Sequence, residues 1–257
     1  MILTMDIGNT NIKTALFGGK EMYKYWRMST NITSTSDEYG VKLTSMFLHE
    51  GVSTDVVDGI VVSSVVPTIN YTIEHMLQNY FGKTPLFVAP GVKTGINIRY
   101  ENPRELGSDR IANAVAAYEE YGGPCIFIDF GTATTFGVVD REGAFRGGAI
   151  APGVMLSLNA LSGGTAQLPG ISLEQPRRAI GSNTVDSMRS GLLLGSAAML
   201  DGMVERMEAE LGYALPVVAT GGLAKAIVPL CRRDMVIDEN LLLTGLYLLY
   251  QKNTQRA

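Results

Sequence analysis

An apolar run ending in Asp-x-Gly and a short polar residue occurs twice in this chain, about half a chain apart. No other feature restricts the possible folds as much. The first copy is residues 2–5 followed by Asp6-Ile7-Gly8-Asn9-Thr10, and the second is residues 125–128 followed by Asp129-Phe130-Gly131-Thr132-Ala133. Asp6 aligns with Asp129, Gly8 with Gly131 and Asn9 with Thr132. Each copy runs on into a β-rich stretch (11–17, and on to 139), a turn (Gly18-Gly19, and Asp140-Arg141-Glu142-Gly143) and a third strand (23–28 and 145–149). Strand, glycine-polar turn, strand is a hairpin pattern. Repeated once at this distance, it indicates a duplicated domain rather than a solenoid. The chain is therefore predicted to be α/β, with two similar lobes at residues 1–117 and 118–257, each a mixed central sheet with flanking helices. A ligand is expected where two such lobes meet.

Other segments fit this plan. Helical spacing runs through 36–49, with Tyr39, Leu43, Met46 and Phe47 on one side. Residues 58–66 form a β-branched strand, Pro67 opens a helix near 68–80, and 85–89 is a short strand. A helix is predicted over 108–121, ended by Gly122-Gly123-Pro124. Further helices are expected near 183–211 and 239–251, with a strand at 215–219. At 257 residues, 46% hydrophobic and 18% charged, the chain has the composition of a soluble globular protein with a sizeable core.

Several functions are disfavoured. The net charge is −4 and no basic block is present, so nucleic acid is not an expected partner. Cys125 and Cys231 are far apart and not in a metal-binding spacing, which suits reduced thiols. His49 and His75 belong to no HExxH pattern. The beginning lacks a signal-peptide pattern, and the uncharged stretch 147–173 is broken by Pro152, Pro169 and many small polar residues, so a loop and a short packed helix are expected there. A cytoplasmic protein with no membrane partner is the expectation.

The repeated turn suggests phosphate chemistry. A tight strand-to-strand turn exposes consecutive backbone N–H groups, and glycine lets a phosphate approach them. Asn9, Thr10 and Thr132 add short side-chain donors, and Lys13 adds positive charge. An Asp at the end of each strand can hold a cation, directly or through water. A P-loop and a Gly-x-Gly dinucleotide fingerprint are both missing, so the nucleotide site must have another architecture.

Five strings in order resemble those of the type III pantothenate kinases, of the acetate-kinase, sugar-kinase and actin superfamily. They are Asp6-Ile7-Gly8-Asn9-Thr10-Asn11-Ile12-Lys13, Gly107-Ser108-Asp109-Arg110, Asp129-Phe130-Gly131-Thr132-Ala133-Thr134-Thr135, Gly147-Gly148-Ala149-Ile150-Ala151-Pro152-Gly153 and Thr220-Gly221-Gly222. The resemblance implies a duplicated actin-like (ribonuclease H-like) fold and a homodimer. It also implies transfer of the ATP γ-phosphoryl group to the primary hydroxyl of pantothenate, giving 4′-phosphopantothenate, the first step of coenzyme A biosynthesis, with Mg²⁺ and a monovalent cation, K⁺ or NH₄⁺. It assigns ATP binding to Asp6, Ile7, Gly8, Asn9, Thr10, Asn11, Ile12, Lys13 and Thr132, with Asp6 holding Mg²⁺, directly or through water. Asp129 would hold the monovalent cation, and Gly221-Gly222 would approach the nucleotide. Asp109 would be the general base, and Tyr100, Gly107, Ser108, Asp109, Arg110 and Thr184 would hold pantothenate, Thr184 across the dimer. Read alone, Asp109 equally suits a helix cap and Thr184 a helix N-terminus. Another small-molecule kinase of this superfamily, or a non-catalytic regulator of the same fold, is the alternative.

Overall fold

The computed structural model describes residues 1–254. The chain divides into two units, one formed by residues 1–116 together with the stretch from Leu241 onward, the other by residues 117–240.

The first unit begins with β1 (Ile2–Ile7), β2 (Asn11–Gly18) and β3 (Glu21–Ser29), an antiparallel meander. Helix α1 (Ser36–His49) follows, then β4 (Gly59–Ser64), α2 (Asn70–Phe81), β5 (Leu86–Phe87), β6 (Asn97–Ile98) and α3 (Ser108–Tyr121), which continues past the boundary. The sheet order is β3-β2-β1-β4-β5, with β4 parallel to β1 and β5 parallel to β4. Parallel strands at the centre of a sheet are covered on both faces, which is why β1 and β4 read as continuous apolar runs. Helices α1 and α2 pack together over a core containing Leu43, Phe47, Ile73 and Leu77. Helix α1 starts on a capping box: Thr35 Oγ1 accepts from Glu38 N–H, and Glu38 Oε2 accepts from Thr35 N–H at 2.7 Å. Helix α8 (Leu241–Thr254) also packs here, on β1, β2 and β4, with Tyr247 stacked on Phe17 at 4.9 Å.

The second unit contains β7 (Cys125–Phe130), β8 (Ala133–Val139), β9 (Ala144–Gly147), β10 (Ile150–Pro152), α4 (Val154–Gly164), α5 (Thr184–Arg189), α6 (Gly195–Leu211), β11 (Val217–Gly221), α7 (Ala224–Ile227) and β12 (Val236–Ile237). Its strands run β12-β11-β7-β8-β9, with β10 antiparallel on β8. Here β7, β8 and β9 form the meander, β11 is parallel to β7, and β12 is parallel to β11. The order and directions repeat those of the first unit, β1 to β5, strand for strand. The duplication expected from two Asp-x-Gly turns is thus a duplication of topology.

Three details differ from the sequence reading. The last helix, assigned to the lobe at 118–257, lies in the first unit, because its apolar side meets β1 and β4. The stretch at 147–173 holds a third hairpin partner, β10, as well as helix α4. The helical region at 183–211 is interrupted at residues 190–194 by a π-helical turn. Among the described residues no helix is long and apolar enough to cross a membrane. The thiols of Cys125 and Cys231 are free, and burial pushes them up to about 12 and about 11, with Asp201 adding to the second. Both are therefore weak nucleophiles at neutral pH.

Candidate active site

In the first unit the phosphate-turn candidates lie where β1 turns into β2. Asp6 is 6% exposed and pairs in register with Lys13 on β2 and Ser63 on β4. Asn9 and Thr10 are exposed at the turn. Not every residue of the string points outward. Ile7 and Ile12 are fully buried members of the core, so only their backbone could meet a nucleotide. The Gly8 N–H donates to the Asn11 carbonyl at 3.0 Å, so it serves the turn itself.

The second cluster is the start of α3. Ser108 is buried, and its hydroxyl bonds the Ser63 hydroxyl at 3.0 Å and accepts the Ser64 N–H at 3.1 Å. This network ties the N-terminus of α3 to the C-terminal end of β4. Because β4 runs parallel beside β1, with Asp6 opposite Ser63, Asp6 and Asp109 are carried to the same end of one sheet. Ligands of α/β sheets gather outside the carboxyl ends of strands, so this is where a site belongs. Ser63 and Ser64 were not singled out from sequence, although a polar pair ending a parallel strand was the available signal.

Asp109 is partly buried. Burial raises its carboxyl above the usual aspartate value, offset in part by the N–H of Arg110 and the Arg110 charge. Its Oδ1 accepts that N–H at 2.8 Å, so the carboxylate also serves the first turn of the helix. A Cβ at Gly107 would overlap Asp109 Oδ1, so a larger residue there would turn the carboxylate aside. Arg110 is 7% exposed, with its guanidinium 5.9 Å from the Tyr100 ring centroid, so Tyr100 and Arg110 form one cationic-aromatic wall.

In the second unit Asp129 lies at the equivalent strand end, opposite Thr135 on β8 and Thr220 on β11. Gly221, at φ +95°, sits so close that a Cβ would lie 2.7 Å from Asp129 Oδ1 and 2.6 Å from the Phe130 carbonyl oxygen. Gly153 likewise presses on the second turn, where a Cβ would meet the Gly131 carbonyl oxygen at 2.8 Å and overlap that of Thr132. The strings at 147–153 and 220–222 are therefore parts of the second turn's own surroundings. Thr132 is exposed at that turn. Thr184 is exposed at the first position of α5, and Asn183 is the cap, accepting the Asp186 N–H at 2.9 Å.

The donor sets suit particular cations. Asp6 offers one hard carboxylate beside the β1–β2 turn, a donor set that suits Mg²⁺ held by one or two carboxylates and substrate phosphates. No cluster of three or more Asp, Glu, His or Cys residues that could hold a metal occurs among the described residues. A Cβ at Gly221 would fill a cradle bordered by Asp129 Oδ1, the Phe130 carbonyl oxygen and the Phe130 backbone nitrogen, and its two oxygens are the donors a hard cation would use.

The sequence pattern defining type III pantothenate kinases matches residues 2–206. The chain is 46% identical to a type III pantothenate kinase of Halalkalibacterium halodurans over 253 residues, 98% of this chain and 100% of that protein. Among solved structures, a conserved Campylobacter jejuni protein assigned provisionally to the Baf family of transcriptional activators aligns over 98% of both chains at 19% identity, with a TM-score of 0.63. An inorganic polyphosphate/ATP-glucomannokinase from Arthrobacter sp. strain KM aligns over 96% of both chains at 14% identity, with a TM-score of 0.51. At such identities the two structures speak for the fold, that of sugar kinases and actin.

Proposed function

The chain belongs to the type III pantothenate kinase family, and from that premise we propose how its residues divide the work of an ATP-dependent pantothenate kinase. The reaction moves the γ-phosphoryl group of ATP to the primary hydroxyl of pantothenate. The hydroxyl oxygen bonds the γ-phosphorus, the bond from the γ-phosphorus to the bridging oxygen breaks, ADP leaves, and the hydroxyl proton needs an acceptor. Asp109 is that acceptor. An ordinary aspartate is a weak base, with a pKa of about 3.9, and burial moves Asp109 upward, toward a better one. In a loose transition state the proton leaves late, so orienting the hydroxyl is the larger part of its role.

The turn at 8–11 holds the ATP phosphates through Asn9, Thr10 and Asn11, with Lys13 supplying positive charge. Bound Mg²⁺ would neutralise phosphate charge, and Asp6 is the residue to hold it, directly or through water. Arg110, backed by Tyr100, takes the pantothenate carboxylate. Ser108 contributes by fixing the helix, since its hydroxyl is already engaged with Ser63 and Ser64. Asp129 holds K⁺ or NH₄⁺, and Thr132 contacts the γ-phosphate. The protein acts as a homodimer, with Thr184 reaching the partner's pantothenate.

The observation carrying the assignment is the Ser63–Ser108 network, which brings the start of the substrate string to the strand end beside Asp6. The test is mass analysis of the product after incubation with Mg·ATP and a panel of pantothenate, sugars and hydroxy acids. Phosphorylated pantothenate alone is expected. A different phosphorylated acceptor would move the chain to another kinase of the superfamily.

A further inference from the structure

The first turn is held from outside by a residue that no motif includes. Thr30 follows β3 directly and grips two carbonyls of the turn. Its Oγ1 donates to the Gly8 carbonyl at 2.6 Å, and its N–H donates to the Thr10 carbonyl at 3.0 Å. Thr30 is itself anchored to the core through its neighbour. The Asn31 N–H donates to the Tyr39 hydroxyl at 2.8 Å, and that hydroxyl donates back to the Asn31 carbonyl at 2.8 Å. Tyr39, in the first turn of α1, is fully buried in the core.

This matters for an anion. A carbonyl oxygen facing a phosphate repels it, whereas an N–H attracts it. Across a trans peptide the C=O and the next N–H point in opposite directions. Holding the Gly8 carbonyl on Thr30 therefore aims the Asn9 N–H the other way, and removes one oxygen from the anion's approach. The geometry points to Thr30 as a positioning residue for ATP, acting through the Gly8–Asn9 peptide. This rests on the reading of the turn as the ATP-phosphate site.

Thr30→Val keeps the shape and removes the hydroxyl; Thr30→Ser keeps the hydroxyl. The expected result for Thr30→Val is about a tenfold rise in KM for ATP, the worth of one hydrogen bond, with KM for pantothenate within about twofold of wild type. Thr30→Ser should restore KM for ATP. Gly8→Ala is run beside them, since a Cβ at Gly8 would press on the Asn11 carbonyl oxygen at 3.1 Å and deform the turn directly. Thr30→Ala replaces Thr30→Val if the latter does not fold.

An unchanged KM for ATP in Thr30→Val, with a raised one in Gly8→Ala, would overturn the role of Thr30 and leave the turn as the ATP site. Unchanged values in both would overturn the turn reading as well. A rise in both substrates' KM without rescue by serine would reduce Thr30 to a structural residue.

Discussion

At the residue scale, Asp109 sits where function and stability oppose each other. Burial raises its folded-state pKa above the ordinary 3.8. The folded protein then holds that proton more tightly than the unfolded chain. Below the ordinary aspartate pKa both states are protonated and the burial cost is absent. As pH rises through the window between the ordinary and the raised value, the folded state loses stability, and above it the cost is constant. Asp109→Asn removes that cost while its Oδ1 can still accept the Arg110 N–H. It should lose about a hundredfold or more in turnover yet melt higher than wild type at neutral pH, with the gain vanishing on acidification below the ordinary aspartate pKa. Thermal melts at the two pH values check the sign. Gly107→Ala should also lower kcat, because its Cβ displaces the Asp109 carboxylate, while leaving KM for ATP unchanged. Steady-state kinetics with each substrate varied in turn separates the two. Asp6 and Asp129 were visible in the sequence because each ends a strand two residues before a glycine, whereas Asp109 stood out only through the family resemblance. The direction of their neighbours was not visible: Ile7 and Ile12 lie inside the same string as Asn9 and Thr10, but their side chains belong to the core.

At the element scale, the critical joint is the one between β4 and α3. Ser63→Ala removes the Ser108 hydroxyl's partner at Ser63 and leaves it the Ser64 N–H and carbonyl, which should cost about 0.5–1.5 kcal/mol of stability and lower kcat by loosening the helix that carries Asp109. Urea unfolding and kinetics on the same variant test both halves. A close approach of α8 to α3 supports the same helix, since a Cβ at Gly245 would overlap the Ala112 carbonyl. Helices α1 and α3 were legible to the residue, because one has apolar periodicity and the other ends at Gly122-Gly123-Pro124. Strands β10 and β12 were not, being two or three residues long and defined only by their partners. The π-helical turn at 190–194 has no sequence signal either, since its residues continue the helical pattern. Ser63 and Thr30 escaped notice for a related reason: each acts through a partner distant in sequence, Ser108 and Gly8.

At the scale of the whole molecule, the sequence showed the duplication through two tripeptides, and the structure extends it to five strands in each unit. Where the chain returned was not legible. An apolar C-terminal helix carries no mark of which sheet it will cover, and α8 joins the first unit. The duplicated turn differs between copies, with Lys13 opposite Asp6 but Thr135 opposite Asp129. The first copy thus has a cationic side chain in register with its aspartate and the second a threonine, the difference that the proposed K⁺ at Asp129 would make up. Asp129→Ala should accordingly abolish stimulation by K⁺ over Na⁺, measured as the ratio of initial rates in the two salts. The central claim is that this chain phosphorylates pantothenate with ATP. Its most direct test is coupled ADP release from purified protein with Mg·ATP in K⁺ buffer, with and without pantothenate. ADP release is expected to depend on pantothenate and nearly to disappear in Asp109→Asn; well-folded protein that releases no more ADP when pantothenate is added would not be a pantothenate kinase.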